Sequence, residues 1–179
     1  TRKAIESAFN ATLPFIPALV SGSADLTGNT GTRLKGEPAQ ACSTPNGRQV
    51  YYGVREHAMG SAMVGMALHG GVLPVGGTFF VFADYMRPAL RLAALSQAKV
   101  CFVFTHDSVG VGEDGPTHQP VEQLASLRAI PGLHVIRPAD ANETAQAWHD
   151  AVSTDGPTAL VLSRQNIEVV TDGSAVAAG

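Results

Sequence analysis

Carboxylates, imidazoles and a row of aromatic rings are the side chains through which this sequence could do chemistry. Glu56 lies between Arg55 and His57 at the start of a segment that is otherwise apolar. A carboxylate in the first turn of a helix is stabilised by the helix dipole and needs no catalytic role there. The residue types alone therefore leave two interpretations of Glu56 open: a charge at a helix end, or a catalytic carboxyl group.

The six histidines raise the question of a metal site. Their spacing matches no zinc-protease motif and no cysteine pair accompanies them, so we expect this chain to bind no metal ion. We interpret His69, His134 and His149 as surface or hydrogen-bonded residues. His106 and His118 differ, because they bracket a loop rich in Gly, Asp and Glu that follows a strand-like run. Ligands bind beyond the carboxyl ends of strands in open parallel sheets, so these two histidines are candidate site residues.

Glycines in the same loop form the pattern GxGxxG, at Gly110, Gly112 and Gly115. The pattern indicates a dinucleotide-binding turn only when a helix follows it. Here Glu113 and Asp114 lie inside the motif, where they would repel a pyrophosphate, and a proline follows the third glycine. We therefore reject the dinucleotide interpretation.

Aromatic residues recur at every third position after a Gly-Gly-Thr segment, at Phe79, Phe82 and Tyr85. A helix that packs one face on the core gives the same period, and this is the default interpretation. The alternative is a wall for a flat ring, since ring stacking stabilises beyond the area that is buried. The spacing leaves both open.

Short apolar runs alternate along the chain with segments of helical period. We predict helices at 3–12, 55–69, 79–96, 119–129 and 143–153, and strand-like runs at 16–21, 49–54, 72–76, 100–105, 133–136 and 158–163. Residues 29–48, rich in Thr, Gly and Pro, predict a long loop, and Asp140 with Glu143 has the spacing of a capping box. The alternation predicts an α/β domain with a mostly parallel sheet.

Composition narrows the class of protein. The chain has 179 residues, which suits one compact domain, and 45% of them are apolar. The net charge is -3, whereas a surface for nucleic acid or anionic membrane requires a basic excess. Neither a signal peptide nor a bilayer-spanning apolar segment is present, and the two cysteines are compatible with a reducing compartment. We therefore expect a cytoplasmic protein that binds neither nucleic acid nor membrane.

Several segments together resemble the transketolase family, in the family's order and over nearly the whole chain. They are TRK at 1–3, GSADLT at 22–27, YGVREHAMG at 52–60, GGTFFVFADY at 76–85, FTHDSVGVGEDGPTHQP at 104–120, IRPADANE at 136–143 and LSRQN at 162–166. The resemblance implies an α/β, three-layer thiamine-diphosphate-binding fold, with a mostly parallel sheet and helices on both faces. It implies a pyrimidine-binding domain at 1–170, with 171–179 as a tail or the start of a linker to an absent C-terminal domain.

The resemblance assigns Glu56 to the cofactor, thiamine diphosphate. In the family, a glutamate at this position hydrogen-bonds N1′ of the aminopyrimidine and promotes the imino tautomer, whose nitrogen takes the proton from C2 of the thiazolium. An apolar site favours the shared proton, because it disfavours the charged form of a carboxyl group. The other cofactor-binding residues that the resemblance implies are Asp25, Leu26, Phe79, Phe82 and Tyr85.

The resemblance also implies a reaction of the pentose phosphate pathway, in which a two-carbon ketol unit passes from a ketose phosphate to an aldose phosphate. His118 and His106 are implied as catalytic residues alongside the glutamate, and His118 would transfer protons near the reacting carbons. Asp114 would bind the hydroxyl group at C2 of the substrate. Arg2, Arg164 and His106 would clamp the phosphate, for which two arginines and a histidine are suited.

One position departs from the family pattern. The family often has Pro-Ser after the SADLT segment, and that serine contacts the phosphate, whereas Gly28 and Asn29 stand here. Asn29 can still donate a hydrogen bond, so we expect a phosphate contact with altered geometry. A sister activity, such as that of a dihydroxyacetone synthase with formaldehyde as acceptor, stays open as an alternative.

The sequence has no GDG motif followed by Asn, through which thiamine enzymes hold Mg²⁺ and the diphosphate. In the family this motif lies on a separate N-terminal domain that the opposite subunit of a homodimer contributes. We therefore expect the chain to depend on that domain and to show no turnover alone. The alternative is a non-catalytic, transketolase-like partner subunit, which the presence of Glu56, His106 and His118 disfavours.

Overall fold

The computed structural model describes residues 1–173, so residues 174–179 of the predicted tail lie outside the described part of the chain. The strands are β1 (Leu19–Ser23), β2 (Gln49–Tyr51), β3 (Leu73–Phe79), β4 (Cys101–Thr105), β5 (His134–Ile136) and β6 (Thr158–Leu162). The helices are α1 (Arg2–Thr12), α2 (Thr27–Thr30), α3 (Glu56–His69), α4 (Ala83–Leu95), α5 (Gln123–Arg128) and α6 (Ala141–Ser153). No helix within 1–173 is both long enough and apolar enough to cross a membrane.

The strands form one six-stranded sheet in the order β2-β1-β3-β4-β6-β5, and each neighbouring pair is parallel. Alternate side chains of β4 enter different cores: Phe102 and Phe104 pack with α3 and α4, whereas Cys101 and Val103 pack with α1 and α6. All of β4 is buried, as expected for a strand with helices on both faces. The predicted three-layer α/β fold with a parallel sheet is confirmed.

Some element boundaries differ from the predicted ones. The helix predicted at 79–96 begins only at Ala83, because β3 continues to Phe79 and residues 80–82 form a 3₁₀ turn. Pairing with β4 causes the extension, since Phe79 lies opposite Thr105. The helix predicted at 119–129 begins at Gln123. Local apolar spacing does not report where a neighbouring strand ends.

The close approach of α3 and α4 depends on a glycine. A Cβ atom at Gly60 would lie 2.8 Å from Cγ of Met86 and 2.9 Å from Cβ of Ala89. Both helices begin at the edge formed by the carboxyl ends of the strands, so their first turns lie side by side there. Glu56 and Tyr85 occupy those first turns.

The predicted Asp140 cap forms at the start of α6, with Glu143 bonding one residue earlier than in a standard capping box. Asp140 accepts a hydrogen bond from the backbone N–H of Glu143 at 3.0 Å, and Glu143 accepts one from the N–H of Ala139 at 2.7 Å. Asp140 also accepts from the backbone N–H groups of Val170 and Thr171. The bond from Glu143, followed by those from the 170–171 segment, holds the pKa of Asp140 well below its usual range. The carboxylate therefore ties the segment after β6 to α6.

Candidate functional site

The predicted site residues lie at the carboxyl ends of the strands. Those next to a strand end are Asp25 and Leu26 after β1, Phe79 at the end of β3, His106 after β4 and Arg164 after β6. Parallel strands present these ends along one edge of the sheet, where ligands bind in open α/β folds. The predicted residues therefore share one edge, although they are distant in sequence.

A cavity of about 200 Å³ opens at this edge. Its lining residues are Arg2, Asn29, Phe79, His106, Glu113, Asp114 and Arg164. The structure thus brings together the substrate-binding residues predicted from the sequence, with the exception of His118.

Charged side chains of both signs line this cavity, Arg2 and Arg164 on one hand and Glu113 and Asp114 on the other. Partial burial, and next the nearby charge of Arg164, lower the pKa of the Arg2 guanidinium. The guanidinium group of Arg2 donates one hydrogen bond, to the backbone carbonyl of Asn29 at 3.1 Å. Arg164 makes no hydrogen bond or ion pair with any residue of the described chain. The guanidinium groups can therefore donate to an anionic group such as a phosphate, while the two carboxylates can accept hydrogen bonds from hydroxyl groups.

His106 is held by its neighbours in a strained and buried position. Its φ of +61° is in the left-handed region, and only 4% of its surface is exposed. The imidazole stacks on Phe79 with ring centroids 3.7 Å apart, and its Nδ1 lies 2.9 Å from the hydroxyl of Thr105. Strained backbone that surrounding contacts enforce is concentrated at functional sites.

Burial lowers the pKa of His106 to about 4, and the charges of Arg2 and Arg164 contribute to the shift. The imidazole is therefore neutral at pH 7, so it can donate one hydrogen bond and accept another.

This shift predicts a pH dependence of folding. The folded pKa of His106 is about 4, below the ordinary value of 6.5, so the unfolded chain binds the proton first as the pH falls. We expect the stability that neutral His106 contributes to be complete above pH 6.5 and lost progressively as the pH falls through 4. Urea unfolding of the wild type and of His106→Gln at several pH values measures it, with the exposed His69→Gln as control. Parallel pH curves for the wild type and His106→Gln would contradict this assignment.

The aromatic residues form a continuous row. The rings of Phe79 and Phe82 are almost parallel, with centroids 6.1 Å apart and an interplanar angle of 3°, and Tyr85 follows at 5.9 Å from Phe82. Their period of three does not mark one core-facing helix, because Phe79 belongs to β3 and 67% of Tyr85 is exposed. The default interpretation was wrong here, and the geometry supports a wall that a flat ring could stack against.

His118 lies edge-on to the same row. Its ring is 5.4 Å from Phe82 and 6.3 Å from Phe79, at angles above 70°. Its Nδ1 lies 2.8 Å from the hydroxyl of Thr117. Since Phe79 also stacks on His106, the row runs from the cavity to the first turn of α4, where Tyr85 lies.

Glu56 is buried to 9% exposure, yet it makes no hydrogen bond or ion pair within residues 1–173. Its carboxyl group is therefore available to a hydrogen-bond partner from outside these residues. A flat heterocycle with a ring nitrogen would satisfy the carboxyl group and cover the exposed part of the aromatic row. The residues present therefore fit the pyrimidine half of thiamine diphosphate.

Some site features escaped the sequence reasoning. Glu113 lines the cavity, although it was interpreted only as a charge that repels pyrophosphate. Asp107, directly after His106, is 7% exposed and pairs with Arg137, while Ser163 bonds to the same carboxylate. Asp107 lies just after the strand-like run at 100–105 and Ser163 ends the run at 158–163, which could have indicated both, whereas no such signal marks Glu113. The described residues contain no group of His, Cys, Asp and Glu that could hold a metal ion.

The loop with the GxGxxG pattern does not start a helix. Residues 116–118 after Gly115 form a single 3₁₀ turn, so the helix that a dinucleotide fingerprint requires does not follow.

Comparisons with known proteins give a consistent result. The family model for the pyrimidine-binding domain of transketolase matches residues 1–169. A transketolase of Halalkalibacterium halodurans is 61% identical over 168 residues, which are 93% of this chain and 25% of that protein. The chain thus spans about a quarter of the length of the curated relatives it matches.

Solved structures agree with the sequence match. The crystal structure of a Pichia stipitis transketolase in complex with sedoheptulose 7-phosphate superposes with a TM-score of 0.91 at 45% identity, covering 94% of this chain and 26% of that one. A structure described as a split gene transketolase, inactive beta4 tetramer, superposes with a TM-score of 0.77 at 27% identity, covering 96% of this chain and 53% of that one. The sequence match, the fold and the shared edge of site residues together show that the chain belongs to the family of transketolase pyrimidine-binding domains.

Proposed function

We propose that this chain binds the pyrimidine half of thiamine diphosphate and a sugar phosphate as part of a transketolase, with residues 1–170 as the functional domain. The single observation that supports this most is one shared edge of the sheet, which carries the unpartnered carboxyl group of Glu56 at the start of α3, the aromatic row up to α4 and a cavity with two arginines. The aromatic row and the carboxyl group suit a flat heterocyclic ring of a cofactor. The arginines in the cavity suit the phosphate of a substrate bound next to it.

The residues around the cofactor bind and orient it. When bound, thiamine diphosphate supplies the centre that stabilises negative charge on the transferred two-carbon unit. Glu56 would hold a proton at N1′ of the aminopyrimidine. Phe79, Phe82 and Tyr85 stack against the ring and exclude water from it. Asp25 and Leu26, after β1, contact the cofactor from the neighbouring strand end.

The cavity residues bind the sugar phosphate. Arg2 and Arg164 donate charge-assisted hydrogen bonds to the phosphate, and neutral His106 adds a donor without adding charge. Asn29 occupies the place of the family serine, and its backbone carbonyl anchors Arg2. Asp114 accepts a hydrogen bond from a substrate hydroxyl group.

His118 is the remaining candidate for proton transfer. It lies beside the aromatic row rather than in the cavity lining, so it stands on the side from which the cofactor would approach. We propose that it exchanges a proton with the hydroxyl and carbonyl oxygens of the substrate.

A second subunit or domain would complete the site. The helix α3 has a high apolar content, yet Ala58, Ser61, Ala62, Gly65 and Leu68 on it are exposed. An apolar helix face on a protein surface marks an interaction site. We propose that a domain with the Mg²⁺ and diphosphate ligands covers this face, as part of a homodimer. The inactive split-gene relative supports a dependence of this domain on its partner.

A hybrid enzyme tests the proposal. The matching segment of the Halalkalibacterium halodurans transketolase is replaced by this chain, and the product of xylulose 5-phosphate and ribose 5-phosphate is measured with thiamine diphosphate and Mg²⁺. We expect the hybrid to form sedoheptulose 7-phosphate and the lone chain to form none. A folded hybrid that binds the cofactor without turnover would indicate a non-catalytic module instead. Robust product formation by the lone chain would disprove the need for a partner.

A further inference from the structure

Ser163 joins the segments that carry the cavity's basic side chains. Its backbone N–H donates to the hydroxyl of Thr1 at 2.7 Å, and its carbonyl accepts from the N–H of Arg2 at 3.3 Å. Its own hydroxyl donates to Oδ2 of Asp107 at 3.0 Å. The chain start, the end of β4 and the end of β6 are therefore held together at one residue.

Asp107 and Ser163 are each a chain neighbour of a phosphate-binding candidate. Asp107 directly follows His106, and Ser163 directly precedes Arg164. Movement of the network would therefore move the imidazole and the guanidinium relative to each other. Neither Asp107 nor Ser163 lines the cavity, so neither would contact a ligand there directly.

Asp107 is the charged centre of the network. Its side chain is 3% exposed, and its Oδ2 accepts hydrogen bonds from Nε of Arg137 at 2.8 Å and from Ser163. Nη2 of Arg137 lies 2.8 Å from the same oxygen. Charge-assisted bonds to a buried carboxylate are strong and hold their partners in one geometry. The carboxylate thereby links the ends of β4, β5 and β6.

We propose that Asp107 is a positioning residue of the sugar-phosphate cavity, which holds His106 and Arg164 at the separation that a phosphate requires. It also keeps Arg137 paired outside the cavity, so that the cavity retains a defined set of cations. The inference rests on the proposed function, because it assumes that the ligand of the cavity is the phosphate of a sugar.

Asp107→Asn in the hybrid enzyme tests this inference. The amide keeps the size of the side chain but loses the charge that holds Arg137. We expect KM for xylulose 5-phosphate to rise about tenfold, as for the loss of a charge-assisted hydrogen bond. For erythrulose, a ketose without phosphate, we expect kcat/KM to stay near the wild-type value.

Asp155→Asn is the matched control. It removes a carboxylate that is 99% exposed and pairs with Lys99 before β4, at the opposite end of the sheet. We expect it to leave both donors unaffected. Equal losses for both donors in Asp107→Asn would indicate a merely structural role, and an unchanged KM for the phosphorylated donor would refute positioning.

Two further measurements keep the inference separate from the proposed function. Ser163→Ala removes only one hydrogen bond of the network, so KM for xylulose 5-phosphate should rise by a smaller factor, and kcat/KM for erythrulose should again stay near the wild-type value. This variant tests the inference even if Asp107→Asn does not fold. If the wild-type hybrid has no activity, the proposed function fails. Calorimetric titration of the chain with inorganic phosphate still tests positioning. The inference is supported if Asp107→Asn binds phosphate more weakly and Asp155→Asn does not. It is overturned if both variants bind phosphate as the wild type does.

Discussion

Glu56→Gln in the hybrid enzyme is expected to lower kcat for ketol transfer by at least about 100-fold, the range for loss of a positioned acid–base group. Glutamine has nearly the same shape but cannot share a proton with a ring nitrogen in the same way. Because Glu56 has no partner among residues 1–173, the substitution breaks no internal hydrogen bond. The loss should therefore appear in catalysis rather than in folding.

Separate measurements distinguish these effects. Hydrogen–deuterium exchange at C2 of bound thiamine diphosphate should slow by a similar factor, whereas the melting temperature of Glu56→Gln should stay near that of the wild type. Glu122→Gln is the control, since Glu122 is exposed and its side chain bonds to no described residue. Exchange at C2 that stays at the wild-type rate in Glu56→Gln would show that the assigned role is wrong.

Arg164→Ala should raise KM for xylulose 5-phosphate by roughly 10- to 100-fold, because a guanidinium contributes charge-assisted, bidentate bonds to a phosphate. Arg164 has no internal partner to lose, and it shares the cavity with Arg2 and His106. Its charge also lowers the pKa of both neighbours. Steady-state kinetics with phosphorylated and unphosphorylated ketoses measure the effect.

The comparison of donors identifies the contact. The variant should use erythrulose almost as well as the wild type, and Arg164→Lys should recover part of the affinity for the phosphorylated donor, since lysine keeps the charge without the planar fork. Arg91→Ala is the control, because Arg91 is an exposed arginine of α4 in a different cavity. If Arg164→Ala weakens both donors equally, Arg164 does not bind the phosphate.

Much of the fold could be predicted because its signals are local. Continuous apolar runs mark buried parallel strands, and the Asp140–Glu143 spacing predicts the Asp140 cap at the start of α6. Boundaries that depend on a neighbouring strand could not be predicted, as at Phe79, where pairing with Thr105 extends β3 into the predicted helix. Because β3 extends to Phe79, the aromatic residues at 79, 82 and 85 belong to a strand end, a 3₁₀ turn and the start of α4, although their period of three is also that of a single helix.

The residue types and motifs of the sequence determined by themselves the family, the α/β class and the candidates that could bind a cofactor and a phosphate. Only the tertiary structure decided which of them meet. The strand order β1-β3-β4-β6 places Arg2 and Arg164 in one cavity, although they stand at opposite ends of the described chain. Packing also leaves Glu56 without a partner and places Asp107 behind the cavity. Spacing along the chain reports local conformation, whereas burial, charge proximity and shared cavities depend on which strand ends lie side by side.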